Sequence, residues 1–217
     1  MKKIVVFDSG FGGDLFADYL EGELPVFEIT RVIDWRHSVE LIKNKYQARH
    51  AARAALAPHI GKADVIFFAN YLLSTTSLKY FRRKYKNQQF AGFSFNKPNR
   101  IRAKTALILT TKALDKTFTL HLFNYRLGLD TKILDCDHWV QLIDDGELTE
   151  DRIRQDLANL QDFHPQLIIL GCTQFVDIKP MLRNIFGSRI IIEDGYNSAI
   201  KNLCKELKLR GLAGKLK

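Results

Sequence analysis

Short apolar runs that stop at polar turns recur along this chain and constrain its fold more than any other feature. The clearest is QLIILGCTQ, residues 166–174, in which an apolar run ends at Gly171 and is followed by Cys172 and Thr173. Such a run is typical of a parallel strand buried on both faces, and open parallel sheets bind ligands at the carboxyl ends of their strands. A following helix favours a reactive thiolate there, although the triplet also fits a small cysteine buried in a tight turn.

Strand and helix patterns alternate over the whole chain, which predicts a parallel α/β architecture. The same order of elements occurs over residues 3–95 and again over 104–194. We therefore predict two similar three-layer domains with parallel sheets, related by pseudo-two-fold symmetry, and a site in the cleft between the domains. The turn-rich residues 96–99 mark the predicted junction. The longer predicted helices cover residues 38–59, 74–86, 113–125 and 149–161.

The composition is that of an ordinary globular protein, with 217 residues, 46% hydrophobic and 26% charged. No apolar run approaches the roughly 20 residues that span a bilayer, and the run after Lys3 is too short for a signal peptide, which predicts a cytoplasmic protein with no membrane partner. Cys136, Cys172 and Cys204 show neither a metal-binding spacing nor a disulfide framework, so we predict no metal site.

The net charge of +9 suits a small anionic ligand. Much of it lies in residues 82–86 and 201–217, which lack the stacking aromatics or the known module of a nucleic-acid-binding surface. We expect these runs to be solvated helix ends and a frayed tail, with no nucleic-acid partner.

The first turn, DSGFGG at residues 8–13, lies between a predicted strand and a predicted helix. Its glycines leave backbone N–H groups open to a carboxylate or a phosphate. It is neither a P-loop nor a dinucleotide-binding fingerprint, because it has no Gly-Lys-Ser/Thr and no GxGxxG.

Five stretches together resemble the aspartate/glutamate racemase family, and glutamate racemases in particular: KIVVFDSGFGG, VIFFANYLLS, ALILTTKA, DCDHWVQLIDDG and LIILGCTQF. The resemblance implies a two-domain α/β protein without a cofactor, whose last helix returns to the first domain. It assigns residues 1–97 and 195–217 to the first domain and residues 98–194 to the second.

The resemblance also implies a mechanism, in which one cysteine per domain exchanges the α-proton on opposite faces of the substrate. Inversion by proton exchange requires an acid and a base that face each other. In the family each cysteine has a helper, an Asp in the first turn and a His in the second. Here Ala69 stands at the first cysteine although the helper Asp8 is present, and Gln174 stands at the helper His although Cys172 is present.

Residue by residue, the resemblance carries over Cys172 and Asp8 as catalytic candidates. The candidates for substrate binding are Ser9, Gly10, Asn70, Thr110, Thr111 and Thr173. Arg36 stands where the family contacts its substrate and can bind a carboxylate through two hydrogen bonds, although a solvated loop is the alternative. Tyr71, a much larger side chain, stands at a family threonine. We expect a small carboxylate ligand as partner, and we consider a homodimer.

Three functions are compatible with these substitutions. The first is a pseudoenzyme that binds a small amino acid or a dicarboxylate and has lost two-thiol racemisation. The second resembles the arylmalonate decarboxylases, with Cys172 as a lone proton donor and the hydroxyls of Ser74, Thr75 and Thr76 on the spare carboxylate, unless these only cap a helix. The third is an active racemase that uses Asp8 and Cys172, since burial raises the pKa of a carboxyl.

Overall fold

The structure is a computed structural model, and it describes residues 1–34, 45–93, 103–112, 128–160 and 162–207. Contacts within the chain divide it into two compact units. Unit one comprises Met1–Asn96 and Gly195–Lys217, and unit two comprises Lys97–Asp194. The predicted junction at residues 96–99 lies outside the described residues.

Unit one contains a parallel sheet of four strands in the order β2-β1-β3-β4. The pairing of the two inner strands runs from Ile4 opposite Val65 to Phe7 opposite Phe68, so both strands end at the same edge of the sheet. Every residue of β3 is buried, as a continuous apolar strand between two helical layers requires. The strands are β1 (Lys2–Asp8), β2 (Phe27–Ile33), β3 (Val65–Phe68) and β4 (Gln89–Gly92).

Four helices connect these strands: α1 (Gly12–Glu23), α2 (Lys45–Leu56), α3 (Tyr71–Thr76) and α4 (Leu78–Lys84). The predicted helix at 38–59 is described only from Lys45, and residues 38–44 lie outside the described residues. The prediction of one helix over 74–86 is wrong, because α3 begins earlier and ends before Ser77. Hydroxyls at residues 74–77 compete for backbone groups and disfavour a continuous helix.

Unit two repeats the plan of unit one, with a parallel sheet in the order β6-β5-β7-β8. Its inner strands also end together, with Leu109 opposite Leu170. Two similar parallel α/β sheets with flanking helices confirm the predicted fold class. The elements are β5 (Thr105–Thr110), β6 (Asp130–Asp135), α5 (Asp137–Asp144), α6 (Glu150–Asp156), β7 (Leu167–Leu170), α7 (Lys179–Phe186) and β8 (Ile191–Glu193).

Two predicted helices of unit two have different outcomes. Residues 113–125 lie outside the described residues. The predicted helix at 149–161 is shorter than expected: Thr149 caps α6 by accepting from the Arg152 N–H, and after Asp156 the chain tightens into a 3₁₀ turn at Ala158–Leu160.

The core of unit two is anchored by a buried tryptophan. The Trp139 ring packs edge-on against Phe175, with 5.9 Å between the ring centroids. Its Nε1 donates to Oδ2 of Asp156 at 2.7 Å. Burial opposes ionisation of Asp156, but hydrogen bonds from Trp139 and His138 outweigh it and hold the pKa of this carboxyl below its usual range. The N–H of a buried indole requires such a partner.

The last helix, α8 (Tyr196–Glu206), belongs to unit one and packs on β4. Asn202 Nδ2 donates to the Gly92 carbonyl oxygen at 3.2 Å, and Arg82 forms an ion pair with Glu206. None of the helices in the described ranges is both long enough and apolar enough to cross a membrane.

Candidate functional site

Asp8 lies at the carboxyl end of β1 and is only 3% exposed. Its Oδ1 accepts the Ser9 backbone N–H at 2.6 Å and the Asn70 Nδ2 at 3.0 Å. A Cβ on Gly13 would lie 2.4 Å from the Asp8 Cβ, so α1 approaches the carboxylate this closely only because residue 13 has no side chain. The Ser9 N–H, the Asn70 side-chain amide and the close approach of α1 together fix the orientation of Asp8.

Asn70 joins the ends of the two inner strands of unit one. Its Oδ1 accepts the Leu73 N–H at 3.1 Å and caps α3, while its Nδ2 donates to Asp8 and, at 3.3 Å, to Ser9 Oγ. This follows from the fold, because β1 and β3 are neighbours that end together. The structure thus brings together three of the sequence-predicted residues, Asp8, Ser9 and Asn70.

Ala69 precedes Asn70 and is fully buried. Its N–H donates to the Phe7 carbonyl oxygen at 2.8 Å, which continues the pairing of β1 and β3 by one residue. The position therefore lies at the strand end, where the resemblance expects a cysteine, and it carries a methyl group. A methyl group neither accepts nor donates a proton.

Tyr71 is directed into the core of unit one and is 4% exposed. Its ring stacks on Phe93, with 4.6 Å between the centroids and 26° between the planes. A Cβ on Gly195 would lie 2.3 Å from the Tyr71 hydroxyl oxygen, so a glycine at 195 makes room for the ring. The larger side chain is thus accommodated by the core.

The hydroxyls of α3 donate to backbone carbonyls of α3 itself or of the preceding strand β3. Ser74 Oγ donates to the Phe68 carbonyl oxygen at 2.9 Å and accepts the Phe93 N–H at 3.1 Å. Thr75 Oγ1 donates to the Tyr71 carbonyl oxygen at 2.8 Å, and Thr76 Oγ1 to that of Leu72 at 2.6 Å. The Thr75 and Thr76 bonds are the local helix bonds that the sequence offered as the alternative to ligand binding, whereas Ser74 ties α3 to the end of β3 and to residue 93.

In unit two, Cys172 follows β7 and is half-buried. Its Sγ lies 3.4 Å from Oε1 of Gln174, whose Nε2 donates to Oδ1 of Asp144 at 2.7 Å. A carboxylate only accepts, so Asp144 requires the amide nitrogen on its side and leaves the amide oxygen facing the sulfur. An amide oxygen accepts a hydrogen bond from a thiol, whereas it would repel a thiolate. The geometry of this contact therefore favours the protonated form of Cys172.

Sequence reasoning missed Asp144, the exposed residue at the end of α5. The stretch DCDHWVQLIDDG was part of the resemblance, but it offers two adjacent acids, Asp144 and Asp145. Only Asp144 contacts Gln174, whereas Asp145 accepts from Gln141 at 2.8 Å on its own helix.

Thr110 and Thr111 are buried at the end of β5, and Thr173 is buried beside Cys172. A Cβ on Gly171 would lie 2.8 Å from the Leu109 carbonyl oxygen and 3.0 Å from Thr110 Oγ1, which brings the β7 turn against β5. Gly10 is half-buried, and a Cβ there would meet nothing within 4 Å. Arg36 lies outside the described residues.

Cys172 differs from the other two thiols of the chain in its exposure. Cys136 and Cys204 are both buried, and burial raises the pKa of each thiol. Cys172 is therefore the thiol that a dissolved reagent reaches first.

The chain is similar to glutamate racemases both in sequence and in fold. No family model matches the chain. A glutamate racemase from Cereibacter sphaeroides is 24% identical over 225 residues, covering 93% of this chain and 83% of the relative. The Escherichia coli glutamate racemase in complex with L-glutamate and the activator UDP-MurNAc-ala is similar with a TM-score of 0.78 at 18% identity, over 96% of this chain and 83% of that one. The Francisella tularensis glutamate racemase with D-glutamate gives 0.79 at 21% identity, over 100% and 84%.

Proposed function

This chain is a member of the aspartate/glutamate racemase family, and we propose that it binds a small amino acid or dicarboxylate without racemising it through two thiols. The observation that carries the proposal is Ala69 at the strand end where the family pattern has its first cysteine. Two-thiol racemisation requires a proton acceptor and a proton donor on opposite faces of the α-carbon. A buried methyl group removes one of the two.

The contacts of Cys172 support the same conclusion. A helper imidazole takes and returns protons near neutral pH, but the amide of Gln174 does neither. Because Asp144 holds the amide nitrogen, the amide oxygen stays on the side of the sulfur. In this contact the thiol is a hydrogen-bond donor, and its partner Gln174 is not a base that could take the proton from it.

A small carboxylate is the ligand class that the remaining groups favour. Solved relatives hold L-glutamate and D-glutamate. This chain has a glycine-rich turn at residues 8–13, in which the Ser9 and Gly13 N–H groups are bonded to Asp8 and Gly10. It also has hydroxyls at the carboxyl ends of the inner strands, from Ser9, Thr110, Thr111 and Thr173. Such groups bind carboxylates at strand ends. We include Arg36 and Asn70 among the proposed carboxylate ligands, and Gly10 for its backbone.

The test is deuterium exchange at the α-carbon. The purified chain is incubated with D- or L-glutamate and with D- or L-aspartate in D₂O, and incorporation is followed by mass spectrometry. We expect none above the protein-free control. Incorporation that is abolished by both Cys172→Ala and Asp8→Asn would instead establish racemisation through Asp8 and Cys172, and would overturn the proposal.

Binding is tested separately with a thermal-shift panel of amino acids and dicarboxylates. We expect one member to raise the melting temperature, because a ligand that binds only the folded state stabilises it by RT ln(1 + [L]/Kd). Thr173→Val should reduce this shift, whereas Thr105→Val, at the opposite end of β5, should not. A flat panel would contradict ligand binding at these turns.

The Cys172–Gln174 contact favours a second candidate, an enzyme that uses one thiol as a proton donor. A protonated Cys172 is suited to protonating the enediolate left after a malonate loses CO₂. The hydroxyls of Ser74, Thr75 and Thr76 do not add to this candidate, since each donates to a backbone carbonyl. Release of CO₂ from substituted malonates, lost in Cys172→Ala, would establish it, and a thermal shift without CO₂ release would exclude it.

A further inference from the structure

A surface cleft of about 590 Å³ in unit one is lined by four cationic side chains that belong to neither turn. Helices α2, α3 and α4 form its walls. The lining residues are Arg49, Thr76, Lys79, Tyr80, Arg83 and Lys84. From the sequence we expected the basic residues 82–86 to be a solvated helix end. The sequence did not indicate that Arg83 and Lys84 line a cleft.

Arg49 is held in one orientation by three contacts. Its Nε donates to Ser77 Oγ at 3.1 Å, its Nη2 donates to the Thr76 carbonyl oxygen at 2.5 Å, and its Cζ lies 4.9 Å from the centroid of the Tyr80 ring. A guanidinium has five N–H donors in a rigid fork, so these two hydrogen bonds leave donors for a ligand. The cation is therefore fixed before any ligand arrives.

The other three cations lie on α4. Lys79, Arg83 and Lys84 are exposed, and the Lys84 ammonium lies 5.9 Å from the Tyr80 centroid. In the part of the chain that the structure describes, no carboxylate pairs with these three or with Arg49, and Glu206 pairs with Arg82 on the same helix. Four positive charges around one concavity, none of them paired with a carboxylate of the described residues, attract an anion of high charge.

We propose that this cleft binds an oligophosphate chain. Guanidinium and ammonium groups are the side chains that bind phosphate, and a run of linked phosphates is the common small anion whose charge is spread over several oxygens. The volume lies within the range of small-molecule sites and exceeds the needs of a single phosphate. The chain is either free inorganic oligophosphate or the tail of a nucleotide.

Isothermal titration of the full chain at 0.15 M salt tests the proposal, with tripolyphosphate and ATP as probes. We expect saturable binding of one ligand per chain. The variant Lys79→Gln/Arg83→Gln should weaken it at least tenfold. The matched control Arg53→Gln/Lys86→Gln removes the same charge from exposed residues outside the cleft and should weaken it less than threefold. All four positions are exposed, so both variants should melt near the parent temperature.

The two probes distinguish the sources of the phosphate chain. Equal affinity for tripolyphosphate and ATP means that the phosphates suffice, and tighter binding of ATP means that a nucleotide carries them. Three outcomes overturn the proposal: no saturable binding of either probe, equal losses in the two double variants, or decathymidylate binding more tightly than both probes with the same dependence on Lys79 and Arg83. The last would make the surface a single-strand nucleic-acid face.

Discussion

The turns that end the inner strands of the two units use their polar groups in opposite ways. In unit one, Asp8 and Asn70 are buried and bind each other, the Ser9 N–H and the first turn of α3. In unit two, Cys172 is half-buried, and its amide partner binds Asp144, which faces solvent. The carboxylate of the first turn has become part of the core, whereas the thiol of the second remains accessible to reagents.

The largest expected difference between the two turns is in the loss of stability when the amide side chain of each is replaced by alanine. Asn70→Ala removes the cap of α3 and a donor to the buried Asp8, and we expect it to lower the free energy of unfolding by about 3 kcal/mol. Gln174→Ala leaves Asp144 in water and should cost about 1 kcal/mol. Urea unfolding measures both. Equal losses would show that the second turn is as structural as the first.

Added methyl groups test how tightly each turn is packed. In Gly13→Ala the new methyl would meet the Asp8 Cβ, and the overpacking should exceed the gain in helix propensity and cost about 2 kcal/mol. We expect a similar loss for Gly171→Ala, since the new methyl would lie 2.8 Å from the backbone carbonyl oxygen of Leu109. Gly10→Ala is the matched control in open space and should change stability by less than about 0.5 kcal/mol. A loss in the control equal to that of Gly13→Ala would refute the steric explanation.

A smaller and more local effect is expected on the reactivity of the Cys172 thiol. Asp144→Asn frees the Gln174 amide to turn its nitrogen toward the sulfur, and a donor there stabilises the thiolate. One hydrogen bond exchanged in this way corresponds to roughly tenfold faster alkylation of Cys172 by iodoacetamide at neutral pH. Peptide mass spectrometry reads the rate, and the buried Cys136 and Cys204 contribute little because their pKa values are raised.

Asp145→Asn is the control for that experiment, because it removes the same charge one residue away without touching Gln174. If both variants speed up alkylation equally, the effect is one of charge alone. If neither does, Gln174 does not control the thiol.

The smallest expected effect is the loss, at low pH, of the stability that Asp156 contributes to unit two. The lowered pKa of Asp156 means that its stabilising contribution is fully present above the unfolded value near 4 and is lost as the pH falls through the folded value. We expect Asp156→Asn to be about 1 kcal/mol less stable than the parent at pH 7, and the gap to close toward pH 2. Urea midpoints across this range measure it. A gap that persists at pH 2 would assign the loss to packing around Trp139 rather than to ionisation.

Much of the fold was predictable because buried parallel strands have a clear signal. The apolar run before Cys172 is β7, and all four of its residues are buried. The break at Ser77 was missed because periodicity does not register hydroxyls that bind their own backbone. The direction of Tyr71 was also missed, because sequence alone does not reveal that residue 195, far along the chain, leaves space for its ring.

The residues of the candidate site were proposed from the sequence, but the contacts between them could not be. Asp8, Ser9, Asn70, Cys172 and Thr173 were proposed from the family resemblance, and their roles stay predictions. The contact between Gln174 and Asp144 joins residues 30 positions apart, and it depends on how α5 packs beside the β7 turn. The sequence marked both acids of that stretch equally, and only the folded chain distinguishes Asp144 from Asp145.

The fit of Tyr71 against Gly195 restricts the order in which these two positions can have changed. With φ of +75°, residue 195 favours glycine even without a neighbour, and the tyrosine oxygen fills the space where any side chain would begin. A lineage could accept the ring only after residue 195 was glycine, and a larger residue there is tolerated only once the ring has gone. A smaller side chain at position 71 is therefore compatible with Gly195. A side chain at position 195 is not compatible with Tyr71.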